Sequence, residues 1–382
     1  MLMTIAIDIR HTGDDHFEEY ISFLFRLLKI VVTKNPGHEF IFISGRPMQT
    51  KLLFDNNVTV VITGPQIRNI LLRKIWYDIK IPALLRKYKA DVFIAANGIC
   101  SLNTSCPLCL IVNDLSFLHF SSPIKKASLF FLKRETKKFL DTANIIVTFS
   151  EFVKKEIVLK FATSEEKITV VPPAGKESFY PLDENEKEEI KKKYTGGKNY
   201  FIYTGVIHPQ KNLINLLKAF SVFKKRQKSD WKLVLAGSLD KSYKNFANNL
   251  KTYKYRDDVL MMACSEEEAV RLKGAAYAFI YPSFYEGNGA AVLDAINSHI
   301  PVITSFNSSM QEISGDAALY VDPADHNDIA DKMMLLYKDE SLRNSLIEKG
   351  KIVAAQYNLE KTADLFWQSI LKTYPAPGKN LK

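Results

Sequence analysis

Tyr281-Pro282-Ser283-Phe284-Tyr285-Glu286-Gly287-Asn288-Gly289-Ala290-Ala291-Val292-Leu293-Asp294-Ala295 reads as a strand that ends at Pro282, a carboxylate at its tip, two glycines that bend the chain, and a helix that begins near Gly289. In that arrangement the backbone N–H groups of Gly289, Ala290 and Ala291 lie at the positive end of a helix, a place suited to a diphosphate. Glu286 would face a sugar held there, and Asp294, a turn or so into the helix, would reach ribose hydroxyls. Gly-rich strand-to-helix turns also occur in many α/β proteins for steric reasons alone. The segment by itself is therefore a statement about fold before it is one about a ligand.

Outward from it, short apolar β-rich runs alternate with helix-length segments along the chain, the pattern of parallel sheets flanked by helices. The class is α/β. Strands are predicted at 3–9, 39–44, 58–62, 91–95, 108–113, 144–149 and 168–171, with helices near 17–34, 67–88, 124–142 and 151–161. Their near-continuous hydrophobicity indicates burial on both faces. The pattern breaks at Pro172-Pro173-Ala174-Gly175, followed by a polar charged stretch from Asp183 to Asn199. Strands then resume near 200–204, 232–236, 258–262, 277–281, 301–304 and 318–321, and the chain ends with helices near 325–336, 340–355 and 359–373. Two domains follow, 1–175 and 176–358. Open parallel sheets take ligands at the carboxyl ends of their strands, so two facing domains would leave a cleft with one substrate on each wall.

The 382 residues exceed what one core usually supports, and 47% hydrophobic content with 25% charge is ordinary for a globular protein. No apolar run approaches the ~18 residues needed to cross a bilayer, and Met3-Thr4-Ile5-Ala6-Ile7-Asp8 reads at once as a strand. The expectation is a cytoplasmic protein with no secretion signal, no membrane span and no nucleic-acid partner. The net charge of +10 is uneven, since residues 1–173 hold 23 Lys/Arg against 16 Asp/Glu. Cys106-Pro107-Leu108-Cys109 has redox or half-zinc spacing. However, Leu108 to Val112 reads as a buried strand and no second Cys/His pair completes a metal site, so buried free thiols are expected.

The quoted segment resembles the acidic motif of family four of the retaining glycosyltransferases, the group 1 family with the GT-B fold, in which two carboxylates separated by seven residues flank a Gly-x-Gly. Glu286 and Asp294 have that spacing. Further similar stretches occur in the same order: Asn113-Asp114-Leu115-Ser116-Phe117, Ser150-Glu151-Phe152, Lys167 to Pro172, Thr204-Gly205-Val206-Ile207-His208-Pro209-Gln210-Lys211-Asn212, Leu235-Ala236-Gly237, Pro301 to Ser305 and Gly315 to Pro323. The resemblance implies two facing Rossmann-like domains. The first would bind acceptor, with the helix 359–374 packing back onto it, and the second would bind a nucleotide-diphosphate sugar. By position, it implies that Lys211 binds the donor diphosphate, Glu286 contacts the sugar and Asp294 holds the ribose. Gly205, Gly287, Gly289, Ala290 and Ala291 complete the donor site, and the stretch from Met262 reads the base. Negative charge grows on the leaving diphosphate, so an ammonium and helix-end amides there favour the transition state over the ground state. No Asp-x-Asp follows a strand in the second half, and neither metal nor cofactor is expected.

Several positions depart from the family's pattern. Asn113 stands where His is usual, and Asn can hydrogen-bond a sugar but cannot carry charge. The first loop, Arg10-His11-Thr12-Gly13-Asp14-Asp15-His16, has one glycine where several are usual, and His11 or His16 could replace the missing imidazole. Asp294 is one methylene shorter than the usual Glu. These departures keep a non-catalytic GT-B scaffold and a GT-B nucleotide-sugar epimerase as alternatives to a retaining transferase of surface polysaccharide or glycolipid synthesis.

The segment 124–142 suggests a partner surface. Leu129, Leu132, Thr136, Phe139, Leu140 and Ala143 share an arc predicted to face the core, while Phe130 and Phe131 fall among Lys126, Lys133, Arg134, Lys137 and Lys138. That is the pattern of a helix lying on an anionic membrane, where a lipid-linked saccharide acceptor would be found, at the inner face. The plainer reading is a solvated basic helix whose two Phe residues pack under a neighbouring loop.

Overall fold

Strands whose residues are apolar at every position must be covered on both faces, and the chain does this twice. The computed structural model describes residues 2–10, 18–45, 56–64, 70–120, 126–240, 243–306 and 308–374. The chain divides into two compact units, one of residues 1–173 with 359–382 and the other of residues 174–358.

Unit 1 runs β1 (Thr4–Asp8), α1 (Glu18–Lys34), β2 (Glu39–Ser44), β3 (Val58–Ile62), α2 (Ile70–Lys87), β4 (Val92–Ala95), β5 (Leu108–Ile111), α3 (Lys126–Thr142), β6 (Ile145–Thr148), α4 (Glu151–Phe161) and β7 (Ile168–Val170). Its sheet has the order β3-β2-β1-β4-β5-β6-β7 with every pairing parallel; Ile5 registers with Phe40 on one side and Val92 on the other. β4 and β5 are buried throughout, whereas the edge strand β3 is half-exposed.

Unit 2 runs α5 (Glu184–Thr195), β8 (Tyr200–Thr204), α6 (Leu213–Gln227), β9 (Lys232–Ala236), α7 (Lys244–Lys251), β10 (Val259–Met262), α8 (Glu266–Gly274), β11 (Ala278–Tyr281), α9 (Ala290–Asn297), β12 (Val302–Ser305), α10 (Ser309–Ser314), β13 (Ala318–Val321), α11 (His326–Lys338) and α12 (Glu340–Gln356). The order is β10-β9-β8-β11-β12-β13, again all parallel. One side of its core holds Phe201, Phe223, Trp231 and Tyr277 ring against ring, with centroids 4.7 to 6.1 Å apart. α5 starts with a reciprocal cap between Asp183 and Glu186, and Gly196 ends it in the left-handed region, at φ 64°.

The last helix, α13 (Leu359–Thr373), belongs to unit 1. Leu359, Thr362, Ala363, Phe366 and Ile370 form its buried stripe, and Tyr374 beyond it is half-buried. It packs on α1, β5 and β6. Thr362 Oγ1 donates to the carbonyl of Pro172 at 2.9 Å, Lys34 bridges Asp364 and Glu360 at 2.7 and 2.9 Å, and Trp367 meets the His38 ring edge-on at 5.0 Å.

α3 departs from its predicted orientation. Phe131 is buried against Phe139, with centroids 6.2 Å apart, and Glu135 is buried beside it, so the core-facing arc is rotated toward Phe131 and Glu135. Leu129 and Leu132 are only half-buried as a result, and Phe130 alone of the two adjacent phenylalanines points outward. Glu135 tolerates burial because Lys138 (2.9 Å) and Arg134 (3.5 Å) reach over it.

Because Phe366 fills the unit 1 core from a helix that joins it last in sequence, Phe366→Ala is expected to destabilise unit 1 by ~3–5 kcal/mol. Urea unfolding followed by probes in each unit checks this; an unchanged unit 1 transition would mean that α13 does not brace the fold.

Candidate functional site

In each sheet the strand order reverses once, between β1 and β4 and between β8 and β11. Loops leaving adjacent strands at such a point diverge and leave room at the carboxyl edge. In unit 2 these are the loops that carry Lys211 and Glu286.

After β8, Gly205 takes φ 129°, a conformation that favours glycine. Its N–H donates to Ala236, and the N–H of Gly237 in turn donates to the Met262 carbonyl at 2.9 Å, so the ladder extends one residue past three strands. A Cβ on Gly237 would lie 1.9 Å from the Gly205 carbonyl oxygen, which makes that close approach possible only for glycine. The chain then forms a single 3-10 turn, Pro209–Lys211, capped by His208, whose Nδ1 accepts from the Gln210 N–H at 3.2 Å. Asn212 follows in the left-handed region and its amide donates to the carbonyls of Pro282 and Pro323 at 3.0 and 2.6 Å. Gln210 Nε2 donates to the Tyr285 carbonyl at 2.7 Å, and the Phe284 N–H donates to the Gln210 carbonyl at 2.9 Å. The two loops are thereby stitched together by backbone and amide groups.

Lys211 Nζ stands 2.6 Å from Glu286 Oε1 and 2.8 Å from the Tyr281 hydroxyl, with the Tyr281 ring 5.3 Å below it. Ser283 Oγ donates to the same Glu286 oxygen at 2.6 Å, and Ser309 Oγ donates to the Glu286 carbonyl at 2.8 Å. The side chains of Lys211 and Glu286 are 15% and 12% exposed, so each charge has lost most of its water and depends on the other. Taking two charges out of water costs several kcal/mol per ion, and their attraction offsets this only when other hydrogen bonds assist. Tyr281 and Ser283 provide that assistance. A buried ion pair at a sheet's carboxyl edge is a candidate for a working site.

α9 begins at Ala290, with Gly289 before it at φ 58°. Of the amides expected at this helix end, that of Ala290 donates to Asn288 Oδ1 at 3.1 Å, so Asn288 is a local acceptor that an anion would displace. Gly287 lies in the same turn, and Ala290 and Ala291 are buried. Asp294 is buried too, and its Oδ1 accepts the Lys176 N–H at 2.8 Å, which ties α9 to the first residues of unit 2. Met262 ends β10, half-buried, with its carbonyl in the ladder. Lys273, on α8, was not singled out from sequence: it is buried, lies over the rings of Phe179 (4.5 Å) and Phe279 (4.6 Å), and reaches the Ala291 carbonyl at 3.4 Å. Nothing in a helix of mixed charge distinguishes that lysine from solvated ones.

In unit 1, Asn113 lies just past β5, where its Nδ2 donates to Asp114 Oδ2 at 3.2 Å and Asp114 Oδ1 accepts the Ser116 N–H at 2.8 Å. His119 pairs with Glu156 at 2.5 Å. Burial, with Asp114 adding to it, pushes the Tyr20 phenol pKa up, so that hydroxyl remains a donor, to the Ala96 carbonyl. At the end of β1, Arg10 is held by both Asp8 oxygens (2.8 and 3.0 Å) and stacks 3.6 Å over Trp76, while the Tyr77 hydroxyl donates to Asp8 at 2.5 Å. This buried network was also not anticipated. His11 and His16 lie outside the described residues. The four cysteines are free; burial raises the Cys100, Cys106 and Cys109 thiols to about 12, so they stay protonated at neutral pH. Among the described residues no three His, Cys, Asp or Glu side chains converge as metal ligands, and no helix is long and apolar enough to cross a membrane.

Residues 184–353 match the sequence model of the glycosyl transferases group 1, and residues 33–174 match that of Glycosyltransferase Family 4. O-antigen chain mannosyltransferase B of Escherichia coli is 27% identical over 264 residues, 65% of this chain and 66% of that protein. O-antigen chain mannosyltransferase RfbU of Salmonella typhimurium is 27% identical over 234 residues, 59% of this chain and 61% of that one. The matches thus span less than two thirds of either relative's length. Among solved structures, Anabaena Alr3699/HepE, in complex with UDP and glucose, superposes with a TM-score of 0.77 over 97% of this chain and 99% of that one at 14% identity, a likeness that establishes the shared fold.

Since a methyl group on Gly237 would collide with backbone and not with a movable side chain, Gly237→Ala is expected to lower unit 2 stability by ~1–3 kcal/mol or more. Thermal unfolding checks this, and a wild-type midpoint would show that the loops after β8 and β9 can separate without cost.

Proposed function

We infer, for a chain that by family is a group 1 glycosyltransferase of GT-B fold, that it moves a sugar from a nucleotide-diphosphate donor onto a saccharide or lipid-linked saccharide, with retention of configuration. The observation that carries this reading is the Lys211–Glu286 pair at the carboxyl edge of β8 and β11, beside the amino end of α9.

Lys211 has the reach and charge to follow a departing diphosphate, and the amides of Gly289, Ala290 and Ala291 add the helix's positive end. As the bond from sugar to phosphate lengthens, charge accumulates on the leaving oxygens and these groups bind it more strongly; each such contact is typically worth ~2.7–4 kcal/mol. Glu286, freed from part of its pairing when Lys211 turns to phosphate, faces the sugar. Asp294 serves the ribose, and Met262 adjoins the base. Asn113, by the family resemblance, is a further candidate for the reaction. The acceptor attacks the face from which the nucleotide departs. The names of the two bacterial relatives support a surface polysaccharide as product, and UDP-, GDP-, dTDP- and ADP-sugars are the donors to screen. A place of action at the inner face of a membrane accords with a lipid-linked acceptor, with α3 among the peripheral contacts. A non-catalytic scaffold is the second reading, favoured by the engagement of Asp294 with the Lys176 N–H. Donor at 100 times its dissociation constant stabilises a protein by ~2.7 kcal/mol, so a thermal-shift screen in which no donor acts would favour the scaffold.

Glu286→Gln is expected to fold normally and to turn over the cognate donor ~100-fold more slowly. Near-normal turnover would remove Glu286 from the reaction.

Positive charge from Lys211 and α9 does here what a divalent ion does in other sugar transferases, so activity is expected to survive EDTA. Complete loss restored only by Mg²⁺ or Mn²⁺ would mean that the diphosphate needs a metal.

A further inference from the structure

We propose that a cleft on the amino edge of the unit 1 sheet is an accessory binding site for a neutral saccharide chain. The cleft has a volume of about 460 Å³ and lies between the last turns of α2, the residues that lead into β4, the loop before β5 and Tyr374. That volume is in the range of small-molecule sites, ~300–1,000 Å³. β5 runs away from it toward Asn113, so the cleft is separate from the loops at the carboxyl edge. Its walls are fixed by hydrogen bonds of their own. The N–H groups of Leu102, Cys106 and Leu108 donate to Asp78 Oδ1, Thr104 Oγ1 and Asn144 Oδ1 at 2.9, 3.1 and 2.8 Å, and Asp91 Oδ2 accepts the Thr4 N–H at 2.8 Å. The Cys106 thiol donates to the Ala90 carbonyl at 3.3 Å, which joins the loop before β5 to the approach to β4. A site whose shape is already set loses less entropy when it is filled. The side chains of Arg86, Lys89, Asn103 and Ser105 line the same cleft, are exposed, and make no hydrogen bond or ion pair with the described residues.

The lining selects the ligand by what it excludes. An anion would meet the Asp91 carboxylate and the carboxyl end of α2, where the helix dipole is negative. A cation would meet Arg86 and Lys89. A saccharide meets neither conflict, because each of its hydroxyls both donates and accepts. Arg86 and Lys89 only donate, Asp91 only accepts, and the Asn103 amide with the hydroxyls of Thr104 and Ser105 does both. Pro82, Leu85 and Pro107, with the half-buried Tyr374, give the apolar surface that the C–H face of a sugar ring covers. The assignment rests on the proposed transfer to a saccharide and deepens it: a second hold on a growing chain raises the effective concentration of its end at the reacting edge. Binding here needs neither donor nor turnover, so the cleft can fail as a site while the transferase reading stands.

The test is a titration followed by saturation-transfer difference NMR, with mannotetraose and maltotetraose as probes and pyrophosphate as an anionic competitor. The proteins compared are wild type, an Arg86→Ala/Asn103→Ala variant, Ser105→Trp, which fills the cleft, and Asn113→Ala at the carboxyl edge. The substituted cleft positions are exposed, so melting temperatures should stay near wild type. At least one tetrasaccharide is expected to bind wild type and Asn113→Ala with equal affinity, to bind Arg86→Ala/Asn103→Ala about tenfold more weakly, and to leave Ser105→Trp unbound. Pyrophosphate should displace none of it. No binding to wild type, equal binding to wild type and both cleft variants, or displacement by pyrophosphate would overturn the proposal. Loss in Asn113→Ala with retention in both cleft variants would place the saccharide at the carboxyl edge and overturn it as well. The expected pattern in a protein that no nucleotide-sugar stabilises would uphold the cleft and count against the transferase reading alone.

Discussion

An ammonium and a carboxylate with little access to water cannot be left alone, and the whole carboxyl edge of the second sheet is arranged so that they are not. Lys211 and Glu286 come from loops 75 positions apart in sequence. They meet because β8 and β11 are neighbours at the reversal of strand order. Asn212, Gln210 and Phe284 then fasten the loops to each other, so the backbones that carry the two charges are held side by side. Close contact of Gly205 with Gly237 lowers the flanking loops enough for this to occur. Removing either charge would strand the other in a place of low dielectric.

Polarity on the first sheet is organised differently. There the buried charges at the end of β1 meet one another: Asp8 takes Arg10 and Tyr77, and Trp76 covers the guanidinium. Such a set fixes the geometry of the strand end. Asn113, Asp114, His119 and Glu156, on and after the loop following β5, are the polar groups of that edge with hydroxyl-recognising chemistry.

Nearly every strand was legible from sequence because burial on both faces leaves an unbroken apolar run bounded by polar residues; β2, β3, β8, β9 and β13 coincide with their predicted spans, and others differ by a residue or two at the ends. Helix faces were less legible. In α3, Thr136, Glu135 and six Leu and Phe residues permit more than one core-facing arc, and the choice depended on Phe139 as a partner for Phe131. In α2 both faces are apolar, so periodicity could not say which one the core would take. At the candidate site, motif spacing brought Lys211, Glu286, Gly289 and Asp294 to attention, whereas Tyr281 and Lys273 act through partners distant in sequence and have no spacing to reveal them.

The return of α13 to unit 1 means that unit 2 is inserted between two parts of its neighbour's chain. During synthesis the ribosome therefore releases all of residues 174–358 before the helix that covers β5 and β6 exists outside the exit tunnel. Unit 2 can close as a continuous piece while unit 1 still exposes the surface against which Phe366 and Ile370 belong. For this chain the domain that begins first is completed last, and the interval before α13 arrives is when its core is open to chaperones and to misassociation.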